Sequence, residues 1–288
     1  IKMLKHDMAM DADFLAKFQN EAKIIAQLNH EHIVRVYDIE NLYRTVFIVM
    51  EYLEGTSLAH ILEHMPSLSF STVLDLLIKV CRGLGYAHDQ GIIHQDIKPA
   101  NIFITEGNSP KVLDFGLAVR TGSIEEADMP GTPMYMAPEQ ITGDPVDERT
   151  DIYSLGITAF EMATGERPFG DADVSRLLQA QLNDPVPDPR SLNPDLPEEF
   201  SNFIMRATRK DPSERYGSVT EILAELIDQA DKIGVKREPE AREKRKMMSL
   251  FMFYGHEKQV ELTRIVEEFG GKLSKLGVEL RVADFEDL

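Results

Sequence analysis

Cysteine is nearly missing from this chain of 288 residues, with Cys81 the only one. No internal disulfide can form, so this is not a small secreted scaffold held by bridges, and a reducing compartment fits. Cys81 falls in an apolar helical pattern, which reads as packing. Cationic side chains are also scarce: 31 Lys and Arg stand against 49 Asp and Glu, for a net charge of −18. Such a balance excludes binding nucleic acid or an anionic membrane through bulk charge. Long hydrophobic runs are absent too. The longest, Met247 to Tyr254, is about eight residues, against the ~20 that a spanning helix requires. No signal peptide is visible. The expectation is a soluble, cytoplasmic piece without a membrane span. Hydrophobic residues still make up 43%, enough for a large core and too many for global disorder. This length suits one domain of about 230 residues plus an appendage.

The polar chemistry is concentrated between His94 and Gly116. Short apolar runs (Ile92 and Ile93, Ile102 to Ile104, Val112 and Leu113) flank it, and Glu106 to Pro110 supplies a turn. Runs of this kind, bounded by Gly, Pro and Asn, read as buried strands joined by a hairpin. Asp96, Lys98, Asn101 and Asp114 then fall on loops at strand ends, where a rigid scaffold presents working groups. Two carboxylates, an amide and an ammonium suit a divalent hard cation and a polyphosphate. Carboxylate and amide oxygens bind Mg²⁺, lysine pairs with phosphate, and a metal-free carboxylate can take a hydroxyl proton.

At these residues the sequence resembles a protein kinase. His94-Gln-Asp-Ile-Lys-Pro-Ala-Asn101 is similar to the catalytic loop, Asp114-Phe-Gly116 to the magnesium-binding motif, and Ala137-Pro-Glu139 to the motif closing the activation segment. All three stand in the family's order. The resemblance implies an α+β, two-lobed kinase-like fold, with an incomplete small β lobe and a large helical lobe. It implies Asp96 as the base and Lys98 as the γ-phosphate stabiliser, with Asn101 and Asp114 as ligands of Mg²⁺ or its substitute Mn²⁺. Lys2, in Ile1-Lys2, matches the strand lysine that pairs with the nucleotide's phosphates. Glu21, on a helix read over 14–28, matches the glutamate that pairs with that lysine. Met50 takes the gatekeeper place behind the adenine of ATP, and backbone groups of Glu51 and Leu53 would bond the base. His94 looks structural, in a column with Phe115 and Ile25.

The rest of the chain fits the same plan. Strands are read around Ile33 to Ile39 and Thr45 to Met50, joined at Glu40 to Leu42. Ser71 to Gln90 is a strong helix, capped by Ser69 or Ser71 and stopped by Gly91. The stretch from Asp151 to Ala163 is apolar almost all round, as a helix buried on every side should be. The resemblance makes Asp151 the anchor of the catalytic loop, and Tyr153 stands where tryptophan is commoner. Proline-rich 183–198 reads as an irregular loop, and Arg215 as the ion-pair partner of Glu139. Thr132 and Lys98 point to a serine or threonine acceptor. The catalytic domain is read as 1–233, followed by a charged linker over 234–246. Residues 247–288 read as strand–helix–strand: a β-α-β appendage, the start of a second domain or a docking element for a regulatory partner.

Two departures stand out. No G-x-G-x-x-G occurs, although the family covers the phosphates with such a loop; the strands carrying it read as trimmed, the alternative being a protein that never had the loop. Gln95 stands where kinases regulated by loop phosphorylation carry arginine. The alternative class is therefore a catalytically weak or inactive kinase-like regulator or scaffold. For the enzyme, Gln95 generates a prediction. Thr121 and Ser123 are phosphorylatable, but Glu125, Glu126 and Asp128 are their neighbours and only Arg120 is at hand as a cation. A phosphate there gains little ordering energy. Turnover should therefore change little on phosphatase treatment, and a large drop would overturn the expectation.

Overall fold

Residues 45–50 (TVFIVM) are β-branched and apolar, a composition that fits a half-buried pleated surface, and they form the central strand of the first sheet. The computed structural model describes residues 2–3, 26–42, 45–65, 68–115, 133–170, 173–234, 249–250 and 279–280. The chain divides into two compact units, one drawn from 1–29, 34–54 and 238–288, the other from 30–33 and 55–237.

In the first unit, β1 (Lys2–Met3), β2 (Val36–Leu42) and β3 (Thr45–Met50) form an antiparallel sheet in the order β1-β3-β2. Phe47, Ile48 and Val49 are buried. Glu40, Asn41 and Leu42 pair with Phe47, Val46 and Thr45. The strand therefore runs through the residues read as its joint, because ladder hydrogen bonds hold Glu and Asn in a strand irrespective of side chain. A bulge between Val36 and Asp38 shifts the register. The helix expected over 14–28 lies outside the described residues apart from its end, where Ala26 and Gln27 make a turn. In the same unit β7 (Ser249–Leu250) pairs in parallel with β8 (Glu279–Leu280). A parallel pair requires a crossover connection, and the segment that makes it is read from the sequence as a helix. The helix itself and the linker over 235–246 lie outside the described residues.

The second unit is mostly helical. A small antiparallel sheet, β4 (Gly55–Ser57), β5 (Ile102–Thr105) and β6 (Pro110–Val112), opens it. Gly55 is required there: its φ is +146°, and a Cβ would lie 2.0 Å from the Ile104 carbonyl oxygen. The helices are α1 (Leu58–His64), α2 (Phe70–Asp89), α3 (Pro138–Thr142), α4 (Glu148–Thr164), α5 (Val174–Asn183), α6 (Glu198–Ala207) and α7 (Val219–Lys232). Ser69 caps α2 by accepting the Thr72 N–H at 3.3 Å, and Gly91 (φ +73°) turns the chain after its end. Cys81 is fully buried among the apolar residues of α2, and burial pushes its thiol well above the ordinary range. The proline-rich stretch contains the short helical turn Pro189–Ser191 and a second turn closed by the Leu196 N–H on the Asn193 carbonyl at 3.2 Å.

Helix α4 is the hub. Every residue from Thr150 to Phe160 is buried, as its sequence without an amphipathic stripe requires. It can approach α6 closely because Gly156 has no side chain: a Cβ would meet Thr208 Cγ2 at 2.7 Å and Ala207 Cβ at 3.0 Å. Tyr153 is buried and donates to Gln181 Oε1 at 2.5 Å, while Lys210 Nζ donates to the Tyr153 hydroxyl at 2.9 Å. Burial pushes the Lys210 ammonium down to about 8.

Arg215 closes the back of this core. Nη1 and Nη2 each donate to one oxygen of Glu139, both at 2.8 Å. Its remaining N–H groups donate to the carbonyls of Arg149, Arg209 and Lys210 at 2.7–3.0 Å. All five guanidinium donors are thus used, and Thr150 Oγ1 adds a bond to Glu139 Oε1 at 2.8 Å. Burial alone would raise the Glu139 carboxyl. The Arg215 bonds and charge outweigh it and hold the group below the usual carboxylate range. Arg215→Met should cost about 3–5 kcal/mol in urea unfolding at neutral pH, because it leaves Glu139 buried and unpaired. The stabilisation from a lowered carboxylate is complete above its unfolded pKa and fades as pH falls through the folded one. The gap between wild type and Arg215→Met should therefore narrow as pH drops below the ordinary glutamate range.

Candidate active site

The segment read as the catalytic loop begins at His94, five residues after the last residue of α2, and its first residues hang from one carboxylate. Asp151, fully buried near the start of α4, accepts the His94 N–H on Oδ2 at 2.8 Å and the Gln95 N–H on Oδ1 at 2.7 Å. His88 of α2 adds a third bond, donating from Nε2 to Oδ2 at 2.8 Å. Its Nδ1 is buried without a hydrogen-bond partner, 3.7 Å from Glu148 Oε2. Charge-assisted bonds of this kind are about twice as strong as neutral ones. Gln95 is held at its other peptide group too: its carbonyl accepts Gln140 Nε2 at 2.8 Å. Gln140 in turn accepts the Ala137 N–H on Oε1 at 3.0 Å, capping α3. Gln95 is clamped in the left-handed region, φ +67°, as is Asp114 at φ +59°. For non-glycine residues this conformation costs of order 1–3 kcal/mol and persists only where the surroundings enforce it.

His94 is a strut. Its Nε2–H donates to the Leu113 carbonyl at 2.7 Å and its Nδ1 accepts the Asp96 N–H at 3.2 Å. A carbonyl can only accept and an amide N–H only donate, so the tautomer is fixed and both nitrogens are committed. The ring lies 4.6 Å from that of Phe115. The ring thereby ties the catalytic-loop segment to the Asp114-Phe115 segment, the structural role expected of it. Ile25, the third member of the expected column, lies outside the described residues.

Asp96, Lys98 and Asn101 come together. Asp96 Oδ2 accepts Lys98 Nζ and Asn101 Nδ2, each at 2.8 Å. Asn101 Nδ2 also donates to the Asp96 carbonyl at 2.8 Å. Two acceptors require the amide NH₂ on this side, which turns Oδ1 the other way. The turn Pro99–Asn101 holds Asn101: its N–H donates to the Lys98 carbonyl at 3.0 Å, and its carbonyl accepts the Leu113 N–H at 2.8 Å. The second bond joins the turn to the residue before Asp114. Asn101 Oδ1 and the Asp114 carboxylate are hard oxygen donors of the type Mg²⁺ prefers.

The other expected site residues belong to the first unit. Lys2 pairs with Ile48 in the sheet, Met50 ends β3, and Leu53 lies in the segment that follows. The Glu51 N–H donates to the Arg35 carbonyl and its Oε1 accepts the Arg35 N–H, both at 2.8 Å. Glu21, Arg120, Thr121, Ser123 and Thr132 lie outside the described residues.

Two clamps escaped the sequence reading. His88 was hidden in the apolar pattern of α2. Gln140 carried a signal, since glutamine at the third position of a helix can reach back to the N-cap amide.

A model of the family described as protein kinase domain matches residues 1–226. A probable serine/threonine-protein kinase of Clostridium acetobutylicum is 38% identical over 230 residues, covering 78% of this chain and 35% of that protein. The serine/threonine-protein kinases PknB of Mycolicibacterium smegmatis and Mycobacterium tuberculosis are each 38% identical over 237 residues, covering 79% of this chain and 38% of theirs. The chain thus spans little more than a third of the length of these curated relatives. Among the described residues, no helix is long and apolar enough to cross a membrane.

The Asp151 clamp yields a direct test. Asp151→Asn sets an NH₂ against one of three N–H donors, leaving a buried group unsatisfied. It should lose about 1–3 kcal/mol in urea unfolding. Turnover should fall by more than the unfolded fraction explains, because the loop before Asp96 loses its anchor.

Proposed function

The chain belongs to the protein kinase domain family, and on that footing we propose that it transfers the γ-phosphate of Mg-ATP to serine or threonine hydroxyls of protein substrates. The observation that carries this reading is the Asp96–Lys98–Asn101 cluster, held in place by Asp151 and His94. Asp96 orients the acceptor hydroxyl and takes its proton. Its Oδ2 already accepts Lys98 and Asn101, so Oδ1 is the oxygen to face the hydroxyl. Lys98, anchored on the same carboxylate, lends its charge to the transferring phosphoryl group. Asn101 and Asp114 would hold the magnesium, which supplies charge neutralisation at the phosphates. Lys2, positioned by Glu21, binds the nucleotide's phosphates, while Met50 and the backbone of Glu51 and Leu53 accept the adenine. Catalysis by such an array is mainly positioning and electrostatics. That agrees with how much of the second unit serves to fix one loop.

His94 does not act as the base, since both ring nitrogens are engaged in the strut. The acceptor class rests on Lys98 and on the relatives, all named as serine/threonine kinases. Those names also give no support to the inactive regulator. The catalytic domain is taken as 1–233, with 247–288 as a β-α-β appendage or the start of a second domain, open to a regulatory partner.

The test is ATP-dependent phosphate incorporation into a general Ser/Thr substrate. Asp96→Asn should lower the rate by roughly 10²–10⁴-fold, the usual worth of a general base. Mg-ATP binding that persists without any incorporation by the wild type would overturn the enzymatic reading.

A further inference from the structure

Helix α1 carries a feature that phosphoryl transfer does not use. His60, Glu63 and His64 are all exposed on one face, and one ligand atom from each lies within 4.8 Å of the others. The spacing brings them together: positions three and four apart are neighbours on a helix surface. The two imidazole rings stand 4.4 Å apart, and His60 Nδ1 is 3.7 Å from Glu63 Oε2.

A second observation points to a ligand. His64 Nδ1 donates to the His60 carbonyl at 2.9 Å. That bond fixes the tautomer and turns the Nε2 lone pair outward. Metal-ligating histidines characteristically donate their second ring N–H to a carbonyl or carboxylate in this way. The free edge of His64 is therefore prepared as a ligand before any ion arrives.

We propose that His60, Glu63 and His64 form a surface site for a divalent transition metal of the zinc type, with two imidazoles, one carboxylate and water completing the coordination. Two nitrogens and one oxygen suit Zn²⁺, Ni²⁺ or Cu²⁺, whereas Mg²⁺ and Ca²⁺ require an oxygen set. Tetrahedral zinc ligands at 2.0–2.2 Å from the ion lie about 3.3–3.5 Å apart. Exposed side chains reach that spacing by small rotations, without moving the backbone. The opposite face of α1 buries Leu58 and packs on β4, β5 and the Pro99–Asn101 turn. A bound ion would thus clip the outer face of the helix that supports the Asn101 turn. The site stands independently of whether the chain transfers phosphate.

The experiment is calorimetric titration of Zn²⁺ into the full, chelator-stripped chain, compared with His64→Ala, His60→Ala and Glu63→Gln. Because these residues are exposed, the metal-free variants should melt with the wild type, keeping the comparison one of binding. Removing either histidine should weaken Zn²⁺ binding at least tenfold, and Glu63→Gln should weaken it less. Co²⁺ in place of Zn²⁺ gives a second readout: a visible absorption band in the wild type that His64→Ala loses. Unchanged Zn²⁺ affinity in His64→Ala, or no Zn²⁺ uptake by the wild type, would overturn the proposal.

Discussion

One buried carboxylate sets the shape of the candidate active site. Asp151 sits in the most buried helix of the second unit, and its charge is balanced only by donors: two successive backbone N–H groups and the His88 imidazole. A carboxylate in such a place is costly to desolvate unless it is hydrogen-bonded and its charge is met. The chain must therefore bring the start of the catalytic loop to it. That requirement explains why Gln95 tolerates a left-handed backbone, because moving out of it would abandon two clamps at once. It also explains why Gly156, about one and a half turns away on α4, is small: the helix that carries Asp151 has to lie deep among its neighbours.

The same logic recurs at the far side of α4. Arg215 uses all five of its donors, three of them on backbone carbonyls, so it fixes chain direction as well as pairing charge. Glu139, held by Arg215 and Thr150, is one residue from Gln140, which reaches the Gln95 carbonyl. The segment that closes the activation loop and the segment that carries Asp96 are thus joined through two adjacent side chains. Two helices, α3 and α4, each contribute one polar side chain to the same short loop, and His88 of α2 braces the second of them.

Much of this was legible in the sequence. Asp96, Lys98, Asn101 and Asp114 stood out by type and spacing, and the structure brings the first three together. Helices α2 and α4 were visible in their apolar patterns, and Asp151 and Arg215 followed from the family resemblance. What remained hidden has a common physical cause. His88 and Gln140 act on backbone groups or on a residue far along the chain, and nothing in their immediate neighbours marks that use. The carbonyls that receive Arg215 belong to Arg149, Arg209 and Lys210, and a carbonyl is the same whatever side chain it carries. Glu40 to Leu42 misled for the opposite reason, since a polar, turn-like composition was overridden by ladder pairing with β3.

The clamps on Gln95 grip only its main chain: one on the N–H, one on the carbonyl. Its side chain takes no part in holding the loop. Architecture and electrical character are therefore separable at this position. An arginine or a glutamine can occupy it over an unchanged backbone path, so a lineage of such domains can gain or shed a cationic docking point for phosphate by a single substitution. The charge carried at position 95 is thus free to vary over a loop whose path is held by its backbone.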